Sequence, residues 1–190
     1  MELEGDCLAV SLALPMYTDR LCQTPSRAAC DAAEQSNASV LGFLLQEVDL
    51  QAISRPTDER LAAALAPLRI KLDMLIDMTA RLSYRDVALP PVCEVELGRR
   101  RIAWISEQHW VCGEWARISL YFHPTFRESV VLFAKATDCV EQSSNNDWRV
   151  EANLIETLGD KGERLARLAF LTRRRQQARQ RPATSAMLET

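Results

Sequence analysis

The sequence predicts an α+β protein in which heptad-bearing helices precede a small antiparallel barrel or curled sheet and a C-terminal helix. Three observations carry that expectation. Leucines stand at 61, 65, 68, 72, 75 and 82 in a 4-3-4-3 spacing interrupted only by Thr79. After Tyr84 the apolar period shortens from seven residues to two, and at least five short strands follow without a strand–helix–strand repeat. Near the end a helical period returns, with Leu165, Leu168 and Ala169 on one side.

The first 37 residues mix short apolar stretches with Pro15, Pro25, Asn37 and several serines, and little regular structure is expected there. From Ser39, a candidate N-cap, Val40, Leu44 and Val48 share one helical face, with Leu41 and Leu45 beside it. Ser54–Arg55–Pro56 ends that helix, because proline restricts the residue before it and lacks an amide hydrogen. Thr57 can cap the next one, with Asp58 and Glu59 in its first turn, where the dipole favours acids. Pro67 predicts a kink inside this second helix, or else a straight start near it.

In the strand region Cys93, Val95 and Leu97 alternate with Glu94 and Glu96, and Gly98 offers a turn into a strand over Arg100–Ser106. Further strands are expected over Arg117–Phe122, Val130–Thr137 and, after the turn signal Asn145–Asn146–Asp147, Trp148–Leu154. The implied division is an irregular segment over 1–37, a helical oligomerisation region over 38–86, a barrel with its terminal helix over 87–181, and a flexible tail over 182–190.

Composition narrows the function classes. The chain has 190 residues, 47% of them hydrophobic and 26% charged, which fits a globular domain with or without an extension. A net charge of −3 argues against nucleic acid as the main partner. Charge is unevenly spread, however. Residues 1–60 carry ten acidic and four basic groups, whereas 161–181 carry eight basic groups against Glu163 alone. That arginine-rich end reads as a solvated helix terminus, with an acidic partner or anionic lipid as the alternative. No apolar run approaches the roughly 20 residues of a membrane span, and Leu8–Pro15 lacks the basic start of a secretion signal. The six cysteines show no CxxC spacing and read as reduced thiols, which makes the expected location cytoplasmic.

The leucine stripe carries the strongest inference. Leu61, Leu68, Leu75 and Leu82 take heptad position d, and Leu65, Leu72 and Thr79 take position a. Ala62 and Ile76 at e, with Ala64 and Met78 at g, widen the apolar face beyond what two strands bury, with Arg69 and Lys71 as charged exceptions. Self-association through this helix is expected, as a trimer or tetramer rather than a dimer. The alternative is an intrachain hairpin in which residues 39–53 cover the stripe.

Catalytic chemistry finds little support. His109 and Cys112 lack the second pair of a four-ligand zinc site, and neither His109 nor His123 lies beside a GxSxG elbow. No HExxH or DxD constellation is present, so no enzyme activity, cofactor or metal is expected. Trp104, Trp110, Trp115 and Trp148 read as rings filling a barrel core or its mouth. Arg81 and Arg85, four residues apart, offer two planar donor forks suited to phosphate just ahead of the strands.

Arg81-Leu82-Ser83-Tyr84-Arg85, the strand order and the terminal helix together resemble the PilZ domain over residues 81–180. The resemblance implies a six-stranded β-barrel related to receptors for cyclic di-GMP, in which an RxxxR segment and a (D/N)xSxxG motif hold the dinucleotide. Arg81 and Arg85 match the first. Of the second, only Ser106 remains in Trp104-Ile105-Ser106-Glu107-Gln108-His109, with Trp104 at the Asp/Asn position and His109 at the glycine. Helices ahead of a degenerate barrel are similar to the atypical, tetrameric PilZ proteins of xanthomonad bacteria, whose long helices form a central parallel coiled coil. That likeness implies a homotetrameric, non-enzymatic adaptor for a bacterial signalling or type IV pilus protein. Direct cyclic di-GMP reception through Arg81, Arg85 and Ser106 is the alternative.

Overall fold

The computed structural model describes residues 9–53, 59–83, 88–124, 126–142, 147–155 and 159–180. Its elements are β1 (Val10–Leu21), α1 (Arg27–Ile53), α2 (Glu59–Ser83), β2 (Val92–Leu97), β3 (Arg101–Ser106), β4 (Trp115–Leu120), β5 (Val130–Gln142), β6 (Asp147–Leu154) and α3 (Gly159–Gln180). The strands close into an antiparallel barrel in the order β1-β2-β3-β6-β5-β4.

The expectation of little regular structure ahead of residue 38 is corrected at Val10–Leu21 and from Arg27 onward. In β1, Val10, Leu12, Leu14 and Met16 alternate inward while their neighbours face out, the period-2 pattern of a half-buried strand. Pro15 is tolerated because it sits where β1 leaves β2 and joins β4: Pro15 pairs Val92, and Met16 pairs Leu120. The barrel therefore takes its first strand from ahead of the helices and is not confined to 87–181. Helices α1 and α2 form an insertion between two adjacent strands.

Helix α1 also starts earlier than expected, at Arg27, and Ser39 lies inside it. Its cap is Ser26, whose Oγ accepts from the Ala29 amide at 3.2 Å. Asn37, which reads as a breaker in sequence, is 2% exposed within the helix. Its Nδ2 donates to the Val131 carbonyl at 2.7 Å, and its Oδ1 accepts from the Val131 amide at 2.8 Å. The amide thus continues the ladder at β5 where no strand does. Gln176 of α3 makes the matching pair with the Ala13 backbone, its Nε2 donating to the carbonyl at 2.7 Å and its Oε1 accepting from the amide at 3.4 Å. Two helices so cover two free strand edges with side-chain amides, satisfying backbone groups that would otherwise be orphaned.

The core is continuous from the barrel into the helices. Val40, Leu41, Leu44 and Leu45 of α1 and Leu165, Leu168 and Ala169 of α3 join the inward side chains of the strands. Helix α2 runs on from Glu59 through Pro67 to Ser83, so it does not start at the proline. The turn expected at Asn145–Asn146, the cap at Thr57, the stop at Ser54–Arg55–Pro56 and the tail over 182–190 lie outside the described residues.

Candidate functional site

Helix α2 supplies the first candidate surface. Every α2 side chain that the structure describes, from Ala63 to Leu82, is exposed. Leu68 and Leu75 are each 61% exposed and Leu82 77%, with Leu65 and Leu72 also more than half exposed. Leu61 lies in α2, but its side chain is outside the described residues. The intrachain hairpin alternative is overturned at these leucines, because Val40, Leu41, Leu44 and Leu45 of α1 turn to the barrel core instead. Thr79 Oγ1 donates to the Leu75 carbonyl at 2.8 Å, so its hydroxyl is satisfied within its own helix.

A second candidate is the loop after β3, where the ligand motif would fall. Arg81 belongs to the last turn of α2, with its side chain outside the described residues, as is the whole of Arg85. Ser106, the last residue of β3, is described in full. Its Oγ donates to the Gln108 carbonyl at 2.8 Å and accepts from the Gln108 amide at 3.1 Å and from Trp110 Nε1 at 3.2 Å. One donor and two acceptor sites are all a serine hydroxyl has, so Ser106 is saturated.

Around it the loop is closed on the barrel. Trp110 is buried and meets the buried Trp104 edge-to-face, ring centroids 5.5 Å apart. Trp104 Nε1 has no hydrogen-bond partner among the described residues. The Arg20 guanidinium stands 4.7 Å from the Trp110 ring centroid and 3.6 Å from Glu114, and it donates to the His109 carbonyl. Glu114 Oε2 accepts from the Val111 amide at 2.8 Å. The His109 ring packs edge-on against Trp148 at 4.5 Å. Gly113, at φ 97°, takes the left-handed turn that brings the chain back, and its amide donates to the Ala136 carbonyl at 2.8 Å. The Arg20 clamp was not legible in sequence, since 89 residues separate Arg20 from the carbonyl it holds.

Several charged and thiol groups elsewhere are matched internally. Arg149 donates to both carboxylate oxygens of Glu96, at 3.0 and 2.7 Å, and to Glu151 at 3.3 Å. That hydrogen-bonded guanidinium holds the Glu96 carboxyl below its usual range against the opposing effect of burial, and Glu96 in turn raises Arg149. The pair borders a groove of about 290 Å³ between the outer barrel face and α3, so its charge is already neutralised there. Burial pushes the Cys30 and Cys93 thiols up, which keeps them protonated. Cys112 Sγ donates to the Thr137 carbonyl at 3.2 Å, and His123 Nδ1 accepts from the Phe126 amide at 3.0 Å. Among the described residues no group of three or more His, Cys, Asp or Glu could hold a metal ion. None of the described helices is long and apolar enough to cross a membrane.

No family model matches the sequence, and no curated protein matches it either. A solved structure does. It is a pathogenic protein from Xanthomonas campestris, described as a new tetrameric PilZ domain self-assembled via an unusual helical bundle. The two agree at a TM-score of 0.67 and 20% identity, over 90% of this chain and 90% of that one.

Proposed function

We propose that this chain, with its PilZ-like barrel, is a non-enzymatic adaptor that self-assembles through α2 and presents several barrels to a protein partner. The observation that carries the proposal is the exposed leucine face of α2. Burying a leucine is worth roughly 1.5–3 kcal/mol, and a helix with an internal proline forfeits about 3 kcal/mol, so α2 needs cover from outside its own chain. A parallel coiled coil supplies that cover, and a homotetramer fits the wide face better than a pair. Assembly through a helical bundle in the Xanthomonas campestris protein supports the same arrangement. Repeated barrels then raise the effective concentration at a partner with repeated sites, a cytoplasmic signalling or type IV pilus protein in this reading.

Direct reception of cyclic di-GMP is the second reading, motivated by the spacing of Arg81 and Arg85. The saturated Ser106 hydroxyl, the clamped His109 carbonyl and the buried Trp104 ring weigh against it. Sedimentation equilibrium tests the adaptor, and a mass of 21.5 kDa, one chain, across the micromolar range would sink it. Calorimetric titration with cyclic di-GMP tests the rival. Micromolar binding that disappears in Arg85→Ala would put the receptor first.

A further inference from the structure

Helix α3 divides its two sides between the barrel and solvent. Leu165, Leu168 and Ala169 are buried in the barrel core, so the helix is held in place by its apolar side. The sequence from residue 164 to 180 carries six arginines and no acid. At ~100° per residue, Arg164, Phe170 and Arg174 fall within an arc of about 120° on the side away from the core. All three are exposed, Phe170 by 56%. Arg164 and Arg174 have no hydrogen bond or ion pair with another described residue, unlike Arg149, which meets Glu96 and Glu151. Glu163, beside Arg164, is the only acid of α3 whose side chain the structure describes.

An exposed aromatic ring flanked by guanidinium groups has the composition of a binding hot spot, and guanidinium forks suit carboxylates. Arg164 and Arg174 stand about 15 Å apart along the axis at ~1.5 Å per residue, with Phe170 between them. A membrane surface fits this face poorly. An interfacial helix buries its apolar side among the lipids, and the barrel has already taken that side of α3. A nucleic acid would bring a long phosphate chain to a protein of net charge −3, whereas a short acidic segment stays within the arginine face. We propose that this face of α3 docks an acidic segment of a partner protein, with carboxylates on Arg164 and Arg174 and an apolar side chain on Phe170.

This inference rests on the adaptor reading above, and its test separates the two. Binding of the full chain to a poly(Glu,Tyr) copolymer is measured beside polyglutamate, phosphatidylglycerol vesicles and a single-stranded oligothymidylate. The salt is held at ~0.15 M, where charges are screened beyond about 8 Å, and light scattering gives the mass of each sample. The copolymer should bind most tightly of the four. Arg164→Glu/Arg174→Glu should weaken it at least tenfold with barrel tryptophan emission unchanged, and Phe170→Ala should reduce it to the level of polyglutamate. If the glutamates perturb α3, Arg164→Gln/Arg174→Gln reads the same loss. Absent copolymer binding, unchanged affinity in the double variant, or an equal loss in Arg99→Glu/Arg117→Glu on the barrel overturns the docking face. Tighter binding of the vesicles or the oligothymidylate overturns the acidic segment as its occupant. A full assembly indifferent to the α3 variants loses the docking face and keeps the assembly. A single chain that binds through α3 loses the assembly and keeps the face.

Discussion

The barrel and α2 solve the same problem in opposite ways. In the barrel, inward side chains fill the interior, every strand pairs on two sides through closure, and the edges left by strand offset meet Asn37 and Gln176. In α2, the described apolar side chains all face solvent. One region is complete within a chain; the other leaves its described apolar side chains uncovered by that chain. The difference teaches where mutations should be felt: barrel substitutions in stability at any concentration, α2 substitutions in mass and its dependence on concentration.

The largest effect expected is on α2. Leu68→Glu with Leu75→Glu places two charges in the seam, and sedimentation should then find single chains whose barrel tryptophan emission is unchanged. A loss of the folded barrel along with the assembly would break the contrast.

Next comes Trp104→Ala, which empties the largest fully buried side chain of the core and should cost about 3–5 kcal/mol in denaturant unfolding. Its Nε1, without a partner among the described residues, sharpens the point, because Trp104→Phe removes that buried polar group and should cost far less.

Asn37→Ala leaves the Val131 amide and carbonyl without their partner, an expected loss of about 1–3 kcal/mol. Amide exchange at Val131 should quicken with it, since its protecting bond is gone. Unchanged stability would mean that water replaces the side chain at this edge.

The smallest effect is electrostatic. Glu96 has its folded pKa lowered, mainly by the hydrogen bond from Arg149. Its contribution is present above the unfolded carboxyl pKa and is lost as pH falls through the folded one. With the Glu96 side chain 41% and Arg149 32% exposed, solvent screening limits it to under about 1 kcal/mol. The thermal midpoints of wild type and Glu96→Gln should differ slightly at neutral pH and converge in acid. A gap that persists in strong acid would mean that packing, not charge, separates them.

Periodicity made much of this legible. The alternation at Cys93, Val95 and Leu97 became β2, and Leu165, Leu168 and Ala169 became the buried side of α3. The strand at Val10–Leu21 is hidden in the sequence although Val10, Leu12, Leu14 and Met16 alternate, because Pro15 reads as a break where the structure has a change of partner strand. Asn37 misled for a related reason. Its low helical preference reflects a side chain that seeks backbone groups, and here it finds them 94 residues away. The ligand motif was readable as degenerate, but not the internal uses of its remnants: Ser106, His109 and Trp104 are tied to Trp110, Arg20 and the core. Those contacts depend on closure of the sheet, which no local pattern encodes.

The insertion of α1 and α2 between β1 and β2 sets a condition on how this protein can be cut. A fragment beginning at residue 87 keeps β2 to β6 but loses β1, which pairs with both β2 and β4. Such a piece would present two unpaired strand edges, each a template for another chain. What a sequence-based boundary takes for a self-sufficient domain is an open sheet prone to strand exchange and aggregation. A soluble barrel therefore has to be expressed from before Val10.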